Sequence, residues 1–380
     1  MQITRLELKD FRNIREAAVS FCPGVNVICG ENAQGKTNLL EAVALLTGRG
    51  SFRGARESQM ARFGEKAFHL KMAFRDAERE QSIAYDAGGD KRKVSLNRVP
   101  LPSASELAGV FTAVVFHPED LSLVKGGPGG RRDFLDAAIS QLKPVYGRYI
   151  AQYNGVLEQR NALLKQIHRT GRGKEMLPIW DEQLAKIGTA VSILRKDYLG
   201  KLSPLAETVY RGFTGERETF QIEYESSVFR EDIPLSVYSE ELIGHYRQLL
   251  EARVEDDIRL QFTGAGVHRD DLDIRVNGLS ARAYGSQGQQ RSCAIALKIG
   301  EAMLLRGVTG ENPVILLDDV MSELDPGRQD YLLNRIRGFQ VLITCCDEAS
   351  ARRMNGGKLF TVKGGVFSEV PLDLPAENAL

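Results

Sequence analysis

The segment Gly30-Glu31-Asn32-Ala33-Gln34-Gly35-Lys36-Thr37 constrains this chain more than any other. It satisfies G-x-x-x-x-G-K-[ST] at every position, a pattern that has meaning between a buried strand and a helix. Both flanks are present. Gly24 to Cys29 (GVNVIC) is a short, β-rich apolar run, and residues 36–47 place apolar side chains at helical spacing. Glycines in such a turn let backbone N–H groups curl round phosphate oxygens, and the following helix points its positive end at the same anion. Lys36 then reaches the outer phosphates and the Thr37 hydroxyl ligates Mg²⁺. ATP and Mg²⁺ are the expected ligands, with Gly30 through Thr37 and the next residue, Asn38, lining the nucleotide.

A second motif sits near the other end of the chain. Val314-Ile315-Leu316-Leu317 is an apolar strand ending in Asp318 and Asp319. Asp318 is placed to hold Mg²⁺ through its water shell, and Asp319 to orient or deprotonate an attacking water. Lys36, Asp318 and Asp319 are therefore the expected catalytic set, and Thr37 and Asp318 the metal set. Tyr284-Gly285-Ser286-Gln287-Gly288-Gln289-Gln290-Arg291 lies upstream and opens an apolar helix. It resembles the signature motif of ABC-type ATPases, in which a serine hydroxyl, a glycine N–H and a helix N-terminus form an anion site facing the opposite subunit. By itself the segment also fits a plain helix N-cap at Ser286. Ser322-Glu323-Leu324-Asp325-Pro326 matches the D-loop of that class. Thr344 stands where transporters place a switch histidine. A Q-loop residue is not obvious: His117 or Glu119 could serve, and so could a simple strand-ending turn.

The order of elements is strand, loop and helix, then an inserted helical segment, then strands again. This predicts an α/β fold: an ABC-type P-loop head built from both chain ends (1–118 and 300–380), with an inserted helical second lobe (119–299) carrying a short arm and the signature motif. Strands are expected at 2–9, 68–74, 81–85 and 110–116, with turns at Phe11 to Ile14 and at Gly88-Gly89-Asp90. Gly126 to Gly130 reads as a loop and helix begins near Arg131. Pro144 restarts that helix, 169–178 is a basic link, and 179–211 is helical again.

Lys plus Arg and Asp plus Glu number 50 each, so net charge is silent about a nucleic-acid partner. Its distribution is not. Residues 131–175 hold nine Lys/Arg against four Asp/Glu, and residues 216–257 hold four Arg against twelve Asp/Glu, which suggests one basic and one acidic face or two solvated helix surfaces. The five cysteines show no metal-ligand or disulfide spacing. No apolar run reaches the roughly 18 residues of a membrane span. A reduced, cytoplasmic chain with no membrane partner is expected.

Further segments carry a more specific likeness: LELKDFRNI at 6–14, SFRGAR at 51–56, FHPEDLSLVKGGPGGRRDFLD at 116–136, YNGVLEQRNALLK at 153–165, GVHRDDL at 266–272 and LLDDVMSELD at 316–325. Together with 30–46 and 284–291, they make the chain resemble the RecF family of bacterial DNA-repair ATPases, in the SMC-like branch of ABC ATPases, over most of its length. The resemblance implies ATP-dependent dimerisation, slow DNA-stimulated hydrolysis, and binding to duplex DNA at single-strand gaps. It implies RecR and RecO as partners, RecA loading downstream, and a place in replication restart and the SOS response. By position, Arg12 and Asn13 would contact the nucleotide, and Ser286, Gly288 and Gln289 would act in trans. Candidate DNA contacts are Arg49, Arg53, Arg56 and Arg62 after the first helix, and Arg131, Arg132, Arg148, Arg169, Arg172 and Lys174 in the arm; each taken singly reads more readily as a surface charge or an ion pair. The sequence departs from the family pattern at Asp133, where a third Arg is frequent, and at Val267, where Pro is.

Three other readings compete. A transporter ATPase subunit shares the nucleotide motifs but lacks the SQGQQ variant and the arm, and carries a switch histidine. An SMC-like head that holds DNA needs long heptad-patterned arms, whereas only about 250 residues separate Lys36 from Ser286. A fused nuclease would need an acidic metal cluster after Asp319, and none is seen there.

Overall fold

Alternation of apolar and polar residues at the N-terminus builds the first sheet. In the computed structural model, which describes residues 1–89, 91–230, 233–346 and 357–371, strands β1 (Gln2–Phe11) and β2 (Ile14–Ser20) pair antiparallel across the turn at Arg12 and Asn13. Strand β3 (Val25–Cys29) leads into helix α1 (Lys36–Leu45). Then come β4 (Ala67–Arg75), β5 (Glu80–Gly88), β6 (Lys91–Leu96), β7 (Val99–Leu101) and β8 (Ala113–Phe116). The β5–β6 turn includes Gly89 at φ 58°; Asp90, also expected there, lies outside the described residues. Strand β8 is shorter than the expected 110–116, because the Val110 N–H is taken by a turn bond to Leu107 O at 3.0 Å.

The chain divides into two compact units, Met1–Asp120 with Leu297–Leu380, and Leu121–Ala296. In the second unit, α2 (Ser122–Lys125) precedes α3 (Pro128–Leu142), α4 (Pro144–Thr170) and α5 (Leu177–Thr214). The glycine-rich segment is less of a loop than expected. Pro128 occupies the first turn of α3, where its missing N–H costs nothing and its fixed φ suits a helix, so Gly129 and Gly130 are helical. α4 and α5 pack on each other as a hairpin, α4 ending at Gly171 in the left-handed conformation. Strand β9 (Phe220–Glu225), helices α6 (Glu240–Ala252) and α7 (Val254–Leu260), and strands β10 (Asp271–Val276) and β11 (Leu279–Ser280) follow, the strands forming a sheet in the order β11-β10-β9. Then come α8 (Ala281–Tyr284) and α9 (Gln287–Thr309).

The basic and acidic stretches of this unit do not stay on separate faces. Arg160, fully buried, donates to Asp181 at 2.6 Å and to Asp257 at 2.7 Å, and Lys174 pairs with Glu255. Charges from the basic stretch thus neutralise part of the acidic one; Glu231 and Asp232 lie outside the described residues.

The first unit is completed by β12 (Val314–Asp318), α10 (Pro326–Arg335), β13 (Val341–Cys345), β14 (Gly357–Lys363) and β15 (Val366–Val370). Two sheets result. One is antiparallel, in the order β2-β1-β4-β5-β6-β7. The other, β15-β14-β3-β13-β12-β8, is parallel except for β15. α1 lies in a core fed by both sheets, with Leu39, Leu40, Ala42 and Val43 fully buried among Leu6, Phe11, Phe68, Val314 and Leu342. A helix apolar on nearly every side belongs between layers, and this one is fixed there with its N-terminus at the end of β3.

Candidate functional site

Gly30 to Lys36 forms a tight turn off the end of β3. Gly35 takes φ 116°, and a Cβ there would lie 2.8 Å from Asn13 Oδ1; a Cβ on Gly30 would lie 2.6 Å from the Val362 carbonyl oxygen. Only glycine fits either place. The loop is tied on both sides: Gly364 N–H donates to Gln34 Oε1 at 2.6 Å, Gly365 N–H donates to Gln34 O at 3.0 Å, and Asn13 Nδ2 donates to Ala33 O at 3.2 Å. The Lys36 ammonium is turned into this loop, donating to the carbonyls of Gly30 and, at 3.0 Å, Glu31. Cys346 Sγ lies 3.3 Å from the same nitrogen and 3.1 Å from Asn32 Oδ1.

The two chain ends meet at Asp318. Its Oδ1 accepts from Thr37 Oγ1 at 2.8 Å and from Thr344 Oγ1 at 2.9 Å. Burial pushes its carboxyl above the usual range, while the two hydroxyls favour the ionised form. Thr344 also accepts from the Asp319 N–H at 2.9 Å, so a single hydroxyl positions both carboxylate residues. Asp319 sits at φ 52°, a strained conformation for a residue other than glycine, and its Oδ1 is 3.2 Å from Ser322 Oγ. A buried ammonium, a helix N-terminus, a hydroxyl and a buried carboxylate fit a nucleoside triphosphate with Mg²⁺, which Thr37 and Asp318 would hold.

Arg12 does not stand open to a ligand here. Its guanidinium grips buried Glu41 through Nε at 2.8 Å and Nη2 at 2.6 Å, and Nη1 donates to Gln59 O at 2.9 Å. Asn13 bridges to Asn38, whose Nδ2 donates to Asn13 Oδ1 at 2.8 Å. His117 stacks on Phe52 at 5.3 Å, and its ring lies 3.1 Å from Glu119 and 3.3 Å from Asp120; burial lowers its basicity. In the second unit Ser286 is exposed and caps α9, its Oγ accepting from Gln289 N–H at 3.2 Å while Gln289 Oε1 accepts from Ser286 N–H at 2.8 Å. The N-cap reading of this motif therefore holds, and the serine faces solvent. Gly288 is half-buried in the same first turn.

Comparison with known proteins now decides the family. The model of the RecF/RecN/SMC N-terminal domain matches residues 2–365. "DNA replication and repair protein RecF" of Heliobacterium modesticaldum is 42% identical over 90% of this chain and 92% of its own length. The chain belongs to the RecF family. The RecF protein of Clostridioides difficile is 37% identical over 95% of this chain and 96% of its own length. The solved structure of the recombination mediator RecF with ATP, in the RecFOR pathway, superposes with TM-score 0.90 at 36% identity, covering 97% of this chain and 98% of that one. An SMC head bound to the winged-helix domain of ScpA shares the fold alone, at TM-score 0.54 and 16% identity. The fold is thus the ABC-type ATPase head of RecF.

The arginines that RecF resemblance offered for DNA fall into distinct classes. Arg131 is withdrawn: it is buried, donates to both oxygens of Asp271 at 2.5 and 2.8 Å, and braces the carbonyls of Leu123 and Gly126. Arg49 lies 3.6 Å from buried Glu301, and Arg62 pairs with Asp10 and Glu65, both at 2.8 Å. Arg53, Arg56, Arg148, Arg169 and Arg172 are exposed, and Arg132 is half-buried with Nη1 on Asp270 O. Asp133 is exposed at the surface of α3. Sequence reading missed Glu41, Cys346 and the Gly364-Gly365 turn. Cys346 and the Gly364-Gly365 turn reach the P-loop only through tertiary contact, Glu41 on α1 holds Arg12, and no local pattern announces any of them.

Proposed function

We propose that this chain is an ATP-controlled DNA-binding protein of recombinational repair and replication restart, working as a dimer. The reading takes the first unit as the ATPase lobe and the second as the inserted lobe with arm and signature. Lys36, Thr37 and Asp318 of one copy hold the nucleotide, with Arg12 braced by Glu41 beside it. Ser286, Gly288 and Gln289 of a second copy close on the γ-phosphate. Mg²⁺, when bound, neutralises phosphate charge. Asp319, held by Thr344, orients the attacking water; slow hydrolysis then reopens the dimer. Closure forms a surface for duplex DNA at single-strand gaps, involving Arg53, Arg56, Arg148, Arg169 and Arg172. That state engages RecR and RecO and favours RecA loading.

The observation that carries this reading is the pairing, in one chain, of a fully braced phosphate cradle with a solvent-facing signature serine at a helix N-terminus. The test is solution mass with Mg²⁺ and a non-hydrolysable ATP analogue against Mg²⁺ and ADP. Mass doubling only with the analogue, abolished by Ser286→Arg with nucleotide binding intact, is the expected result. A mass indifferent to nucleotide removes the composite site.

A further inference from the structure

The segment Gly266-Val267-His268-Arg269-Asp270-Asp271 plays no part in the nucleotide site, yet almost every group in it is fixed inward. Gly266, at φ 138°, leaves no room for a Cβ, which would meet Tyr246 Oη at 2.5 Å. Its N–H donates to Ser227 Oγ at 2.9 Å. The Val267 carbonyl accepts from buried Arg195 at 2.7 Å. The His268 ring lies 2.8 Å from Tyr153 Oη and 3.0 Å from Thr263 O. Asp270 accepts from Ser227 N–H at 2.8 Å and from the Tyr224 hydroxyl, and Asp271 takes the Arg131 fork. The Val-for-Pro departure is absorbed here: Val267 is buried, and its carbonyl is the group used.

Arg269 is the exception. It is exposed, and its guanidinium lies over the Phe262 ring at 4.7 Å. Among the described residues no carboxylate pairs with it. The three acids of α7 have cations of their own: Asp256 pairs with Arg259 at 2.7 Å, Glu255 with Lys174, and Asp257 with Arg160. Arg132 reaches the same loop, spending Nη1 on the neutral Asp270 carbonyl. A guanidinium backed by an aromatic ring and unpaired with a carboxylate keeps N–H groups available and loses less freedom on binding, which suits bidentate capture of a phosphate.

We propose that this loop is a contact for the DNA sugar–phosphate backbone, with Arg269 as the recognising side chain, Phe262 as its backing and Arg132 as a second cation. The proposal rests on the DNA-binding reading above. The rigid underside explains why so many buried polar groups serve one surface arginine: they fix where its fork is presented.

The probe is a fluorescent gapped duplex, titrated with the full chain plus Mg²⁺ and a non-hydrolysable ATP analogue over a series of salt concentrations. Arg269→Ala is expected to bind about tenfold more weakly at fixed salt and to lower the slope of log Kd against log salt by about 0.9. Arg269→Lys keeps the slope but loses part of the affinity, and Phe262→Leu weakens binding less than Arg269→Ala. Nucleotide binding and thermal stability stay at wild-type values in all three. Parallel salt lines for wild type and Arg269→Ala overturn the site and leave the surface to an acidic protein partner. A wild-type chain that binds no DNA overturns both this site and the function on which it rests.

Discussion

Replacing Thr344 by Val tests the reading of the catalytic carboxylates. The side chains have similar shapes, and Thr344 is 1% exposed, so the change removes one hydroxyl and little else. Two bonds go with it: the donor to Asp318 Oδ1 at 2.9 Å and the acceptor for the Asp319 N–H at 2.9 Å. A hydrogen bond to a charged group contributes about 1.5–3 kcal/mol, and the backbone bond about 1 kcal/mol. Asp318 keeps Thr37, so part of the first loss is recovered. The remainder is then about 2–3 kcal/mol; if half of it appears as misplacement of the two carboxylates during turnover, about 1–1.5 kcal/mol reaches the barrier, a fall in kcat of roughly 5–13-fold. Steady-state ATP hydrolysis with saturating DNA measures kcat. Binding of a fluorescent nucleotide measures ground-state affinity, which is expected to change less than about threefold because Lys36 and the loop amides are untouched. Thr344→Ser restores most of the rate. A Thr344→Val chain that turns over within about twofold of wild type would falsify the idea that this hydroxyl positions Asp318 and Asp319.

Other outcomes follow from contacts elsewhere. Arg160→Ala leaves Asp181 and Asp257 buried without their cation and is expected to cost about 3–5 kcal/mol in denaturant unfolding; an unchanged midpoint contradicts a structural role. His268, pushed down from 6.5 to about 4 chiefly by burial and further by Arg269 and Arg132, stays neutral in the fold where the unfolded chain is protonated. Its contribution is therefore lost as pH falls from 6.5 towards 4, about 2 kcal/mol between pH 7 and 5. His268→Asn flattens that part of the pH dependence; an equal drop in the variant assigns it to other groups. Glu41→Gln removes the charge opposite Arg12 and leaves one acceptor oxygen where there were two, and is expected to weaken nucleotide binding several-fold by releasing that guanidinium from its bidentate seat, read by fluorescent nucleotide titration; wild-type affinity would show that Arg12 needs no brace.

The parts of the fold written in local pattern were legible before the structure. β1, β3, the β4–β5 pair, α1 and the α4–α5 hairpin with its restart at Pro144 all follow period, Gly and Pro. The P-loop and the Asp318 strand were legible because phosphate binding demands fixed residue types at fixed spacing. What escaped was tertiary. β2 and the β6–β7 edge carry weak alternation and take their identity from neighbouring strands. Gly129 and Gly130 read as loop until Pro128 is seen to start a helix. Arg131 and Arg53 look alike in sequence, and only the position of Asp271, far along the chain, makes one an internal strut and leaves the other exposed.

The sheet order has a consequence for how the protein comes to exist. β3, which carries the P-loop, has β14 on one side and β13 on the other, while β1, β2 and β4–β7 pair among themselves. On the ribosome, the antiparallel sheet can close as soon as its own residues emerge. The strand that ends in the phosphate loop then waits, with both edges unpaired, until Val341 and Gly357 onward are synthesised. The amides of Gly364 and Gly365, which hold Gln34, arrive later still. A nascent chain that stops short of Gly357 thus carries the phosphate-loop residues without the β14 edge and the Gly364 and Gly365 amides that brace them.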